Sequence, residues 1–202
     1  MSTARIWFDG ACEPYNPGGH GTWGFVVKDS DGVVATERGY IGEGDGVTNN
    51  VAEYTALTHA LEYAREELDV DTLHVHGDSQ LVIRQLTGEY DVNSQRLRPL
   101  WREARRLCND FEERHFQWVP REENVEADAL AEREYEERAY PDRLERAKSE
   151  DMSVSPREDG TYLVKDEYVV DLDAGTCTCP DYRQRNATCK HLFAVQFHRS
   201  LR

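Results

Sequence analysis

ARIWFDGAC, residues 4–12, sets a carboxylate, Asp9, into a run otherwise suited to a β-strand. Strands disfavour Asp, and burying an uncompensated carboxylate costs several kcal/mol. At a strand end beside Gly10 the residue is an ordinary turn former; inside the strand it demands partners. Taken alone, Asp9 is open to both readings.

The elements around it build an α/β pattern. Residues 22–28 (TWGFVVK) and 33–41 (VVATERGYI) read as two further strands after 4–9, separated by the turn signals NPGG at 16–19 and DSDG at 29–32. A helix should start near TNN at 48–50, since Tyr54, Leu57, Leu61, Ala64 and Leu68 recur at helical spacing. Then come a strand at 72–77 (TLHVHG), a short helix at 79–87, an Arg- and Glu-rich helix over roughly 94–113, a strand at 115–119 (HFQWV) and a helix at 124–139. Residues 141–159 are rich in charge and poor in apolar periodicity, and are expected as a partly helical linker. A hairpin-like TYLVKDEYVVDLD follows at 161–173, and LFAVQFHRSLR closes the sequence as a short helix.

With 202 residues and 23.3 kDa, there is room for one domain of ~100–150 residues and a small module. No apolar run of ~18 residues occurs, and MSTARIWFDG lacks a basic head and long apolar stretch, so neither membrane nor export is expected; cytoplasm is the default. The charge is strongly negative, 39 Asp and Glu against 24 Lys and Arg, and only four of the basic residues are lysines. Such a pattern suits a salt-loving source, and equally an acidic protein of ordinary habitat. At ~1 M salt the Debye length is ~3 Å, so this surface repels a polyanion far less than its formal charge suggests.

Three further carboxylates stand at informative places. Asn50-x-x-Glu53 has capping-box spacing, Asp78 sits where strand 72–77 yields to a helix and suits an N-cap, and Asp128 lies early in the last helix, where the macrodipole favours an anion. Singly, each reads better as structural. Together with a strand-centre Asp9 they can converge at one sheet edge, where open α/β sheets place their sites. Crowded carboxylates demand cations, and oxygen-only ligands point to Mg²⁺ or Mn²⁺.

FDGAC at 8–12 with NPGG at 16–19, TNNVAEYTAL at 48–57, GDSQLVI at 77–83 and VPREENVEADALA at 119–131 resemble type 1 ribonuclease H over residues 1–140. The resemblance implies the ribonuclease H-like fold, a five-stranded mixed sheet flanked by helices. It also implies endonucleolytic cleavage of the RNA strand of RNA–DNA hybrids by two divalent ions, leaving 5′-phosphate and 3′-hydroxyl ends. By the same resemblance Asp9 bridges both ions, Glu53 and Asp78 serve the leaving-group side, and Asp128 serves the attacking water. Asn49, Asn50 and Gln80 match positions that contact the minor groove, and Asn16 matches more loosely because its loop differs in length. Turn and capping duty for the asparagines, and a solvated Gln80, are the structural alternatives. Two departures stand out. The loop His of bacterial relatives is missing from VPREEN, where Arg121 or Glu122 are the substitutes; and LTGEYDVN leaves no room for a basic protrusion, which makes the catalytic domain short of a phosphate-binding surface.

CTCPDYRQRNATCKH, residues 177–191, supplies Cys177, Cys179, Cys189 and His191, a full tetrahedral set for a structural Zn²⁺. It resembles a SWIM-type zinc finger over 160–202. Residues 182–202 hold Arg183, Arg185, Lys190, Arg199 and Arg202 and no acid, so the module is expected to grip the hybrid's phosphates or a flanking single strand, with Tyr182 or Phe193 stacking; a protein-docking role is the rival. The chain is expected to act as a monomer. A non-catalytic hybrid binder and a transposase-like relative are the alternative functions.

Overall fold

The strand that carries Asp9 runs from Thr3 to Glu13 (β1), longer than expected at its far end, so that Asp9 lies inside it rather than at its edge. In the computed structural model, which describes residues 2–200, β1 pairs antiparallel with Gly18–Lys28 (β2), and β2 with Val33–Gly44 (β3). On its other side β1 pairs parallel with Thr72–Gly77 (β4), and β4 with Glu113–Trp118 (β5). The result is the expected mixed five-stranded sheet, in the order β3-β2-β1-β4-β5.

Strand side chains alternate between faces. Ala4, Ile6 and Phe8 therefore turn to one face, where they join the core with Tyr54, Leu57 and Leu61 of the helix Asn49–Glu67 (α1). Trp7 and Asp9 turn to the other. The remaining helices of this part are Gln80–Thr87 (α2), Leu97–Cys108 (α3) and Val125–Ala139 (α4). The α3 helix is shorter than the expected 94–113. Phe111, 5% exposed, turns into the core, and the backbone enters β5 at Glu113.

Two glycines fix how the helices meet β1. A Cβ on Gly10 would stand 2.2 Å from the Ala52 carbonyl carbon and the Glu53 nitrogen, so α1 crosses β1 in backbone contact one residue from Asp9. Gly24, paired with Asp9 across β1 and β2, lies against α4: its Cβ would be 2.5 Å from Leu130 Cβ and 2.8 Å from the Ala127 oxygen. Backbone cannot yield as a flexible side chain does. Gly10→Ala should therefore cost about 1–3 kcal/mol and lower hybrid cleavage with it; thermal unfolding and an activity assay on the same preparation check both.

The chain divides into two compact units at Tyr135/Glu136. In the second, the stretch expected as a linker carries the helix Pro141–Ser149 (α5) and the strand Val154–Pro156 (β6). The α5 helix packs against Lys190–Ser200 (α7), with Ala147 buried, so 141–149 is part of the folded unit. Strand β6 continues through Tyr162–Val164 (β7), Tyr168–Asp171 (β8) and Thr176–Cys177 (β9) into a four-stranded antiparallel sheet. A short helix, Pro180–Arg185 (α6), stands between the two halves of the Cys/His cluster. No helix among the described residues is long and apolar enough to cross a membrane.

Candidate active site and metal centre

Asp9 is 9% exposed, and three acids act on it. Burial, then the charges of Asp78 and Asp128, push its carboxyl up to about 8, with Glu53 adding to the rise and the Gly10 amide opposing it. Glu53, on the first turns of α1, is pushed up to about 7 by burial, although the Ser79 hydroxyl donates to its Oε2 at 2.6 Å. Asp78 follows β4 directly and is also raised, by burial first. Asp128, in the first turn of α4, receives the Arg121 guanidinium at 2.6 Å. The four predicted acids thus share one electrostatic site.

Local structure corrects two capping expectations. Thr48, not Asn50, caps α1, its Oγ1 accepting from the Val51 amide at 3.2 Å. Ser79, not Asp78, caps α2. Both corrections free the carboxylates: Glu53 turns to Ser79, and Asp78 Oδ1 accepts from Asn124 Nδ2 at 3.1 Å.

The donor set fits hard divalent cations, because every ligand offered is a carboxylate oxygen. Buried acids whose protonation is favoured by one another gain from a cation, and Arg121, hydrogen-bonded to Asp128, acts on Asp78 and Asp9 through its charge alone. Asn124 Oδ1 is buried without a hydrogen-bond partner, an acceptor beside Asp78 still to be satisfied. Among the described residues the four acids are not already gathered as the Cys/His group is.

In the second unit Cys177, Cys179, Cys189 and His191 are all buried, with their ligand atoms within 4.8 Å of one another. His191 Nδ1 lies 3.8 Å from Cys177 Sγ and 4.0 Å from Cys189 Sγ, and Tyr168 stacks on its ring at 4.6 Å. Backbone amides of Cys179 and Tyr182 donate to the sulfurs of Cys177 and Cys179. A hydrogen bond from Cys177, with help from His191 and against burial, lowers the Cys189 thiol. Three thiol sulfurs and an imidazole, with no open position, fit a structural zinc ion.

Comparison with known proteins covers both units. The family model described as "Reverse transcriptase-like" matches residues 7–134, and the SWIM zinc finger model matches 168–198. The chain belongs to the reverse transcriptase-like family of ribonuclease H-like domains. It is 42% identical over 127 residues to ribonuclease HI of Halobacterium salinarum, a match covering 63% of this chain and 61% of that protein's length. The crystal structure of RNase H1 from that halophilic archaeon aligns at 41% identity and TM-score 0.60, covering 65% of this chain and 96% of the other. The N-terminal RNase H domain of Rv2228c from Mycobacterium tuberculosis aligns at 33% identity and TM-score 0.64, over 70% and 99%. LC11-RNase H1, solved in complex with an RNA/DNA hybrid, aligns at 30% identity and TM-score 0.59, over 67% and 99%.

Around the acids of this family member, the other predicted residues fall into two groups. Asn16 and Asn49 hold the fold together: the Asn49 amide donates to Asn16 Oδ1 at 3.3 Å, and Asn49 Oδ1 accepts from the Cys12 amide at 2.8 Å. The side-chain amides of Asn50 and Gln80 have no hydrogen-bond partner among the described residues, which leaves them to a ligand. Arg121 sits on Asp128, whereas Glu122 lines a hollow with Trp7, Lys28 and Glu126.

Ser79 and Asn124 are the functional residues that sequence reasoning missed. Asn124, 1% exposed, donates both to the Phe8 carbonyl at 3.0 Å and to Asp78, and so ties the middle of β1 to the end of β4. Its only sequence signal is its place before the last helix. Asn124→Ala strands a buried carbonyl and lets Asp78 swing, so a loss of about 1–3 kcal/mol and roughly tenfold lower activity are expected; urea unfolding and steady-state kinetics measure them.

One charge expectation needs correction. The first unit is acidic, as expected, although Arg98 and Arg102 of α3, with Tyr90 and Trp101, line a hollow of about 260 Å³ next to α2. The second unit is not strongly basic, since folding sets Asp181 beside Arg185, Glu150 beside Lys190 and Asp173 beside Arg199. Residues 136–202 hold 13 acids and 11 bases. Phe193 is fully buried and presents no ring to a base, while Tyr182 packs in part on the cysteine core. Arg202 lies outside the described residues.

Proposed function

We propose that this chain is a ribonuclease H that hydrolyses the RNA strand of RNA–DNA hybrids with the help of Mg²⁺ or Mn²⁺. One arrangement carries the reading: Asp9 is buried inside the central strand beside three further acids, from α1, the end of β4 and the start of α4, with burial first and their charges next pushing its carboxyl up. Relatives at 42% and 30% identity, one named ribonuclease HI and one solved with a hybrid, support the substrate.

When bound, a pair of divalent ions neutralises charge on the entering and departing oxygens and acidifies an attacking water. The chain's own residues position and restrain. Asp9 of β1, Glu53 of α1, Asp78 after β4 and Asp128 of α4 would hold the ions, with Asp9 the residue the other acids surround. Ser79 orients Glu53 by donating to it, and Asn124 fixes Asp78. Arg121 stands over Asp128, where it restrains that carboxylate and steers a phosphate. Asn50 and Gln80 each donate and accept, as reading a 2′-hydroxyl requires. The α3 arginines supply the grip that the missing protrusion does not.

Zinc at the cysteine cluster serves the second unit's fold, and the exposed Arg183 offers positive charge to nucleic acid, Arg185 being held by Asp181. The acid-rich surface, with only four lysines, suits a cytoplasm rich in salt. Accordingly the protein should gain heat stability and activity between dilute buffer and molar KCl; a flat or falling response ends the salt-adaptation part. Function itself is tested on labelled RNA–DNA, RNA–RNA and single-stranded RNA with Mg²⁺ or Mn²⁺. Cleavage confined to the RNA of the hybrid is expected. Hybrid binding without cleavage would reduce the protein to a binder.

A further inference from the structure

On the face of the sheet shared with Asp9, β4 and β5 carry three histidines that neither site uses. His74 and His76 are two residues apart on β4 and so point the same way, and His115 stands directly opposite His74 in the parallel register. The rings of His74 and His115 are 4.6 Å apart at 27°, and those of His74 and His76 are 6.5 Å apart at 13°. Trp7, opposite His76 on β1, stacks on it at 4.7 Å, with the Lys28 ammonium 4.8 Å from the Trp7 ring centre.

A stacking platform for bases needs free ring faces. Here Trp7 lies between His76 and Lys28, and His74 faces His115, so the ring faces are largely taken. What the row presents is ring edges. Neither His74 nor His76 has a hydrogen-bond partner among the described residues, and each is only half-buried, so their nitrogens are open to a ligand.

We propose that His74, His76 and His115 form a second transition-metal site, for a borderline-soft divalent ion of the zinc class. Two histidines alternating on one strand and a third across from the first give three imidazoles on one face, a ligand set that suits Zn²⁺ with a fourth position open. A tetrahedral ion with bonds of about 2.0–2.1 Å sets ligand ring centres roughly 5 Å apart. The centroid separations of 4.6 and 6.5 Å lie either side of that spacing. The three rings do not already gather their nitrogens as the cysteine cluster gathers its ligands, so binding would turn the side chains out of their stacks beside the Arg5 charge that faces His74 and His76. Glu113 Oε2, 3.9 Å from His115 Nε2, orients that ring or takes the fourth position. Imidazole ligation separates this site from the oxygen-only acids, and its open position separates it from the closed cysteine cluster.

The test uses the full chain with its cysteine cluster zinc-loaded and millimolar Mg²⁺ present, titrated with further Zn²⁺ by calorimetry and by imidazole NMR. One additional equivalent is expected, moving the ring signals of His74, His76 and His115 but not those of His20, His59 and His198. His115→Gln, at an exposed position, should weaken that equivalent by at least about tenfold, and His74→Gln likewise. Absence of an additional equivalent, equal affinity in both variants, or shifts confined to the other histidines would overturn the proposal.

Discussion

Asp9→Asn should abolish hybrid cleavage, by about 10³-fold or more, and yet make the metal-free protein harder to unfold at pH 8; loss of several kcal/mol of charge stabilisation at the reacting phosphate sets the first figure. The second effect follows from the carboxyl's environment. Burial and the charges of Asp78, Asp128 and Glu53 raise Asp9 to about 8, and burial raises Glu53 to about 7. For an acid raised in the folded state, the linked stability is fully present below its unfolded value near 4. It is lost as pH climbs through the folded value. Metal-free protein should thus weaken between pH 5 and 8, and each excess proton bound by the folded state steepens the fall by about 1.4 kcal/mol per pH unit. Asn cannot ionise, so the variant's curve should be flatter, and the two should separate by on the order of 2 kcal/mol at pH 8. Mg²⁺ should stabilise wild type more than the variant, and more at pH 8 than at pH 5. Urea titrations at both pH values, with and without Mg²⁺, measure all of this. A variant as pH-sensitive and as Mg²⁺-responsive as wild type would mean that Asp9 is not the centre of the site.

Where sequence reasoning succeeded, chemistry forced the choice. A carboxylate within ARIWFDGAC has no cheap structural use, and three cysteines and a histidine in fifteen residues have few uses but metal. Where it failed, a distant partner outcompeted a local one. Asn50 and Glu53 have the spacing of a capping box, but Glu53 is taken by Ser79, 26 residues on, and Thr48 caps the helix instead. Asp78 suits an N-cap, but Asn124, 46 residues away, holds its side chain. The same logic governs the second unit. Residues 182–202 look basic when read along the chain, yet Glu150, Asp173 and Asp181 fold back onto them. The helix at 141–149 has little apolar periodicity, since its packing against α7 rests on Ala147 and long polar side chains. Phe193 read as a free ring because a helix of eleven residues does not disclose which face it buries.

Removing zinc should unfold the second unit while the first stays folded. The buried cluster at its centre consists of Val164, Val170, Leu192, Val195 and the three cysteines themselves, so the metal ligands make up nearly half of it. Its strands are two to four residues long, too short to hold a sheet without that centre. Units of this size with so small a core draw their stability from the metal, for which zinc-finger peptides give apparent binding energies of about 10–16 kcal/mol. Stripped of the ion, three sulfurs and an imidazole crowd one another in a buried site with no cation among them. A zinc-selective chelator in excess Mg²⁺, or Cys189→Ser, should therefore erase hydrogen-exchange protection at Leu192 and Val195 of α7. All four tryptophans, at 7, 23, 101 and 118, lie in the first unit, so their fluorescence should hardly change. Re-addition of Zn²⁺ should restore protection in the chelated protein but not in Cys189→Ser. Protection of α7 that survives both treatments would show that packing alone holds this unit and that the cysteine cluster serves something other than its fold.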